Sequence, residues 1–114
     1  MLADFAAQIA AGQVYVAVDE AGGLQGYVVF YPQAERMHLD AVAVRPGMTG
    51  KGIGTSLIRF CEDEARRLGF AAVSLYTNEK MTYNLQLYPR LGYREVDRRA
   101  DEGFHRVFFE KPLG

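Results

Sequence analysis

The chain has 114 residues and a mass of 12.7 kDa, the size of a single domain spanning residues 1–114. Apolar residues make up 49% and charged residues 24%, enough for a core without disulfides or a structural metal, and a composition that argues against disorder. Lys and Arg number 13 against 14 Asp and Glu, a net charge of −1, which lacks the cation excess of a non-specific nucleic-acid binder and still permits a local anion site.

The chain opens with Leu2, Phe5, Ala6 and Ile9 at helical spacing, so a helix is expected over Leu2–Ala11, stopped at Gly12. Asp4 without an early Lys or Arg does not read as a secretory signal. Val14-Tyr-Val-Ala-Val18 reads as a strand, Asp19 to Gly23 as a turn, and Leu24 to Tyr31, closed by Pro32, as a second strand. Arg36 to Arg45 completes an antiparallel meander. A glycine-dense loop, Pro46 to Gly54, leads into a helix running to about Leu68. Its apolar face is Leu57, Ile58, Cys61, Ala65 and Leu68; Arg59, Glu62, Asp63, Arg66 and Arg67 suit its wet face. Ala71 to Tyr76 reads as a strand covered on both faces. Lys80 to Arg90 reads as a second helix, with Met81, Leu85 and Tyr88 inward and Gly92 as the stop. Tyr93 to Arg99 and Phe104 to Glu110 form a closing hairpin. The strand before the glycine loop, the long helix and the strand after it make a β-α-β unit, so those two strands should be parallel neighbours in a largely antiparallel sheet.

Cys61, the only cysteine, excludes an internal disulfide or a cysteine-rich zinc site and reads as a small apolar helix residue. His38 and His105 show no metal-ligand spacing, so no metal is expected. No apolar run reaches the length of a membrane span. The expectation is a cytoplasmic domain without membrane or nucleic-acid partners.

The informative stretch is Val42-Ala-Val-Arg-Pro-Gly-Met-Thr-Gly-Lys-Gly-Ile-Gly-Thr55. Gly50, Gly52 and Gly54 open a helix just after a strand. Backbone amides without side chains can close on an anion there, aided by the helix dipole, by Lys51 and by the Thr55 hydroxyl. A phosphate or pyrophosphate is the implied ligand. The spacing is not that of a nucleotide-triphosphate loop, because Gly52 follows Gly50-Lys51 and Arg45 stands where the first glycine belongs. Nor is it a dinucleotide fingerprint, which needs GxGxxG early in a βαβ unit.

Thr49-Gly-Lys-Gly-Ile-Gly54 resembles the acyl-CoA-binding motif of the GNAT family of N-acetyltransferases, Gln/Arg-x-x-Gly-x-Gly/Ala, except at its first position. Asn84-Leu-Gln-Leu-Tyr88-Pro-Arg-Leu-Gly-Tyr93 is similar to a second family segment, and Gly103 to Pro112 to the last strand of many bacterial members. The resemblance implies an α/β (α+β mixed-sheet) GNAT-like acyl-CoA N-acyltransferase fold, with acetyl-CoA as cosubstrate. It implies direct transfer of the acetyl group to an amine in a ternary complex. The acceptor would be a small-molecule primary amine or a protein amino group. Val42, Ala43 and Val44 would offer backbone groups to the pantetheine arm and acetyl carbonyl. Thr49, Gly50, Lys51, Gly52, Ile53, Gly54 and Thr55 would hold the pyrophosphate, and Asn84 would touch the pantetheine. Tyr88 would protonate the leaving thiolate. Asp40, then His38, then Glu79 are candidates for the base, and Tyr31 for the acceptor border. Arg94, Arg98 and Arg99 read as a solvated strand face, and Tyr15, Tyr27, Tyr31 and Tyr76 as strand packing. A non-catalytic acyl-CoA-binding or sensing module is the alternative.

Two departures stand out. Thr49 replaces the Gln or Arg of the motif, which removes one donor near the pyrophosphate. The usual first strand and helix of the family are expected to be missing. Val14 to Val18 would then be an exposed sheet edge, in a naturally short member, a truncated form, or a homodimer that covers it.

Overall fold

A computed structural model describes residues 4–9, 14–47, 50 and 52–114, with the backbone path alone for residues 4–9 and 101. Runs of β-branched and aromatic residues separated by turns give strands β1 (Asp4–Ile9), β2 (Val14–Val18), β3 (Leu24–Gln33) and β4 (Arg36–Val44). Helical periodicity gives α1 (Ile53–Arg67), then β5 (Ala72–Asn78), α2 (Thr82–Arg90) and the hairpin of β6 (Arg94–Asp101) and β7 (Phe104–Pro112). The strands form one mixed sheet in the order β1-β2-β3-β4-β5-β7-β6. Among the described residues only β4 and β5 are parallel neighbours, as the helical crossover between them requires.

α1 lies across β3, β4 and β5. Leu57, Ile58, Cys61 and Ala65 are fully buried beneath it, against Val28, Met37 and Val73 of the sheet. Burial pushes the Cys61 thiol well up, so it stays a packing residue, as expected. Both helices stop in the same way. The amide of Phe70 donates to Ala65 O at 2.9 Å and that of Gly69 to Arg66 O at 3.1 Å. In α2 the amides of Tyr93 and Gly92 donate to Tyr88 O and Pro89 O at 3.0 and 3.1 Å. This double bond pattern is the Schellman stop, which needs a left-handed residue after the last turn. Gly92 supplies it at φ 98°, where a Cβ would also press within 3.3 Å of the Lys111 side chain. The accompanying apolar contact is Tyr93 edge-on to Tyr88, ring centroids 5.6 Å apart. The Leu-Gly-Tyr sequence therefore fixes where Tyr88 stands.

Five expectations need correction. The opening segment is not a helix. It is β1, paired antiparallel with β2 from Asp4↔Val18 to Ile9↔Val14. A strand thus does lead the sheet, and it covers the edge whose exposure had suggested a dimer. Glu62, expected on the wet face of α1, is 1% exposed, because two distant partners reach it. Leu68 is 52% exposed as the cap of α1 rather than part of its apolar face. Met81, likewise, caps α2 and is exposed. No described helix is long and apolar enough to cross a membrane.

Candidate active site

The site begins with a register defect. Val29 pairs with Ala41 and Phe30 with Leu39, so Asp40 is the extra residue of a β-bulge in β4. The parallel pairing with β5 consists of Met37↔Val73 and His38↔Ser74 and ends there. Beyond His38 the two strands part, and the β5-facing edge of β4 is left without a ladder partner. The slot so opened has a volume of about 200 Å³, with Asp40, Val42, Thr77, Asn84 and Tyr88 among its walls.

A second cavity, about 300 Å³, continues from it along α1 and α2. Gly50, Gly52, Gly54 and Thr55 line its far end, with Tyr83 and Leu87 on its flank. Val42, Asn84 and Tyr88 line both cavities, so the two form one groove from the glycine loop to the slot. At the loop end, Gly50 and Gly52 have φ of 80° and 78°, a conformation that side-chain-bearing residues rarely take. A Cβ built at either meets nothing within 4 Å, so the space above them is open. Gly52 is the N-cap of α1 and provides no side-chain cap, and the first turn holds no acidic residue. Among the described residues no side chain caps the first-turn amides, which are open to an outside acceptor where the helix dipole favours an anion. This cradle fits a pyrophosphate.

In the slot, Asn84 Nδ2 donates to Thr77 Oγ1 at 3.1 Å, which ties α2 to β5 and orients the amide. Tyr88 is 8% exposed, packed against Tyr93 and Phe109. Burial, with Cys61 adding to it, raises the Tyr88 phenol above its ordinary value. Among the described residues no hydrogen bond engages its hydroxyl. Asp40 stands on the opposite rim with its side chain 40% exposed.

The remaining sequence candidates separate. Ile53 lines the loop cavity, whereas Ala43 pairs with Tyr27, and Val44 packs against the Gly54 position. Thr49 and Lys51 lie outside the described residues. His38 is buried between Tyr31 and Tyr76, with Nε2 3.7 Å from Asp40 Oδ1, too long for a hydrogen bond. Burial lowers its pKa, against a smaller opposing pull from Asp40. His38 is thus behind Asp40 rather than in the slot. Glu79 faces His105 at 3.9 Å, beside a separate hollow. Among the described residues no cluster of three or more His, Cys, Asp or Glu is placed to hold a metal. Sequence reasoning missed Thr77, Tyr83 and Leu87. Thr77 carries no local signal, since its role is set by an amide seven residues on.

Residues 2–93 match the sequence profile of the acetyltransferase (GNAT) family. Streptothricin acetyltransferase of Streptomyces lavendulae is 29% identical over 109 residues, which is 88% of this chain and 58% of that protein. The chain thus spans somewhat over half the length of that relative. The crystal structure of nourseothricin acetyltransferase superposes with a TM-score of 0.78 at 22% identity, covering 89% of this chain and 65% of the other. A GNAT family acetyltransferase from Elizabethkingia anophelis with acetyl-CoA bound gives 0.77 at 20% identity, covering 87% and 74%. These likenesses at low identity bear on the fold: the mixed sheet with α1 and α2 is the one expected from the sequence, apart from the opening segment, which is β1 and not a helix.

Proposed function

This chain belongs to the acetyltransferase (GNAT) family, and we propose that it moves an acetyl group from acetyl-CoA to a primary amine by direct transfer. The observation that carries this is the single groove joining an uncapped glycine cradle to a slot walled by Tyr88 and Asp40. Acetyl-CoA, when bound, supplies the activated acyl group. The loop at Gly50 and Gly52 and the first-turn amides of α1 hold the pyrophosphate. Asn84, fixed by Thr77, receives the pantetheine arm beside Val42. The unpaired edge of β4 beyond the bulge offers backbone N–H groups to the oxygen that gains charge during transfer. Asp40 accepts the amine proton on the open side of the slot. Tyr88 holds its proton at Oη and delivers it on the inner side as the leaving sulfur gains charge. The amine is that of a small molecule or a protein.

Calorimetric titration with acetyl-CoA tests the cradle. Saturable binding is expected. Gly52→Asp should weaken it at least tenfold, about 1.4 kcal/mol or more, by placing a carboxylate against the bound anion. A Cβ there meets nothing within 4 Å, but φ of 78° strains any side chain. The melting temperature should therefore fall modestly and equally in Gly52→Asp and Gly52→Ala, which makes the alanine variant the control for strain. Gly52→Ala reports the smaller backbone share alone. Amine-dependent thiol release then tests transfer. Binding without release from any amine of a broad panel would identify an acyl-CoA-binding module instead, and absence of binding would overturn both readings.

A further inference from the structure

We infer that the acceptor is an amine whose apolar or aromatic body carries a carboxylate, recognised by Arg99 and Arg106; this rests on the transferase reading above. On the sheet face opposite α1, a cavity of about 780 Å³ extends over β3, β4, β5, β7 and β6. Leu75 and Tyr76 line both this cavity and the slot, so it begins where the slot ends, on the Asp40 side. Its floor is a continuous run of rings. Tyr31 and His38 lie 5.3 Å apart, His38 and Tyr76 are stacked at 5.7 Å, and Tyr76 and Phe108 lie 5.5 Å apart. Such a floor receives a planar or apolar body and gives a point cation no fixed partner.

Three arginines line its walls, Arg36, Arg99 and Arg106, with one carboxylate, Glu110, which Arg36 pairs at 2.7 Å. Arg106 and Arg99 lie over the ring run, their Cζ atoms 5.0 Å from the Tyr76 centroid and 4.5 Å from the Phe108 centroid. Stacking on an aromatic face holds a guanidinium's fork of donors in a fixed plane, the arrangement that suits a carboxylate. Arg99 gives its Nε to Asp97 at 2.6 Å, and among the described residues nothing engages its terminal nitrogens. Arg99 is solvated, as expected of that strand face, and is also folded onto Phe108 at the mouth of this cavity. An amine at Asp40, a body over Tyr76 and a carboxylate at the arginines is the occupant these groups fit together. A polycation would meet the arginines with like charge.

The test uses two matched pairs of amines, 4-(aminomethyl)benzoate against benzylamine and phenylalanine against phenethylamine, with spermidine as the polycation. The full chain is assayed for acetyl transfer, and each amine is also titrated calorimetrically into the CoA-saturated protein. In at least one pair the acid should show a kcat/KM and an affinity at least tenfold above its uncharged-body partner. Arg99→Gln/Arg106→Gln should erase that preference, Arg106→Lys should reduce it partly, and raising the salt should shrink it in the unaltered protein. Transfer to benzylamine, phenethylamine or spermidine as good as to the acids would overturn this inference and leave the transferase reading standing. So would an acid preference that survives the double substitution. Tight, arginine-dependent binding of an acid with no transfer to any amine would do the reverse, sustaining the site and sinking the transferase.

Discussion

Tyr88→Phe is expected to lower kcat by about 100- to 1,000-fold, the range in which a positioned proton donor contributes, while KM for acetyl-CoA stays within a factor of three. The split follows from when the hydroxyl acts. Its proton is needed only as the leaving sulfur gains charge, so its removal costs the transition state and not the bound ground state. The geometry also separates this effect from folding. Tyr88 is buried by its ring, against Tyr93 and Phe109, and phenylalanine keeps that ring. Since the hydroxyl has no hydrogen-bond partner among the described residues, the substitution breaks none, and the melting temperature should not fall. Burial holds the phenol pKa above its ordinary value, so the proton is present across the acid and neutral range. A steady-state comparison of the two proteins, with CoA affinity measured alongside, decides it. A kcat within threefold of the parent would remove Tyr88 from the chemistry and hand the proton to water.

How far the sequence reached is best judged from particular residues. The meander, the crossover helix and the closing hairpin are local or near-local features, and their turns and periodicities stand in the chain. The glycine cradle is legible for the same reason: strand, glycines and helix start are contiguous. The opening strand shows where such reading fails. Leu2, Phe5, Ala6 and Ile9 fit a helical period, but Phe5, Ala7 and Ile9 fit a strand period equally well, and a segment this short cannot separate them. Pairing with Val14–Val18 settles the matter, and that is a tertiary contact. The bulge at Asp40 is hidden in a similar way. Alternation places His38 and Asp40 on one face, whereas the slot depends on Asp40 having no opposite number in β3. The cavity over the aromatic run joins residues from five strands, so no window of sequence contains it.

Glu62→Ala should cost about 3–5 kcal/mol of unfolding free energy, the loss expected when one partner leaves a buried charge pair. The carboxylate is sequestered on α1, where Tyr93 Oη donates to Oε2 at 2.8 Å and Lys111 Nζ donates to Oε1 at 3.0 Å. Those donors lie 31 and 49 residues away, so the site clamps α1, the stop of α2 and β7 together. Removing the carboxylate strands an ammonium whose side chain is 16% exposed and a buried phenol. Replacing the whole set is different in kind: Glu62→Leu/Lys111→Met/Tyr93→Phe leaves unpaired only Arg59, whose exposed guanidinium lies 3.7 Å from Glu62 Oε1 and stays solvated, and most of the loss should be recovered. Denaturant unfolding of the two variants makes the comparison, and a triple variant no more stable than Glu62→Ala would show that packing rather than charge governs the cluster. The same cluster sets an alkaline limit. Burial above all, then the Glu62 charge and hydrogen bond, raise the Tyr93 phenol far above its ordinary pKa. A group raised on folding stabilises fully below its unfolded pKa and loses that contribution as pH climbs toward the folded value. Stability should therefore fall once pH exceeds about 10, where the unfolded phenol ionises and the folded one does not. Tyr15, Tyr31 and Tyr88 are shifted the same way and add to the slope. Tyr93→Phe should flatten it, and an unfolding free energy that holds level between pH 9 and 11 would count against the buried-phenol account.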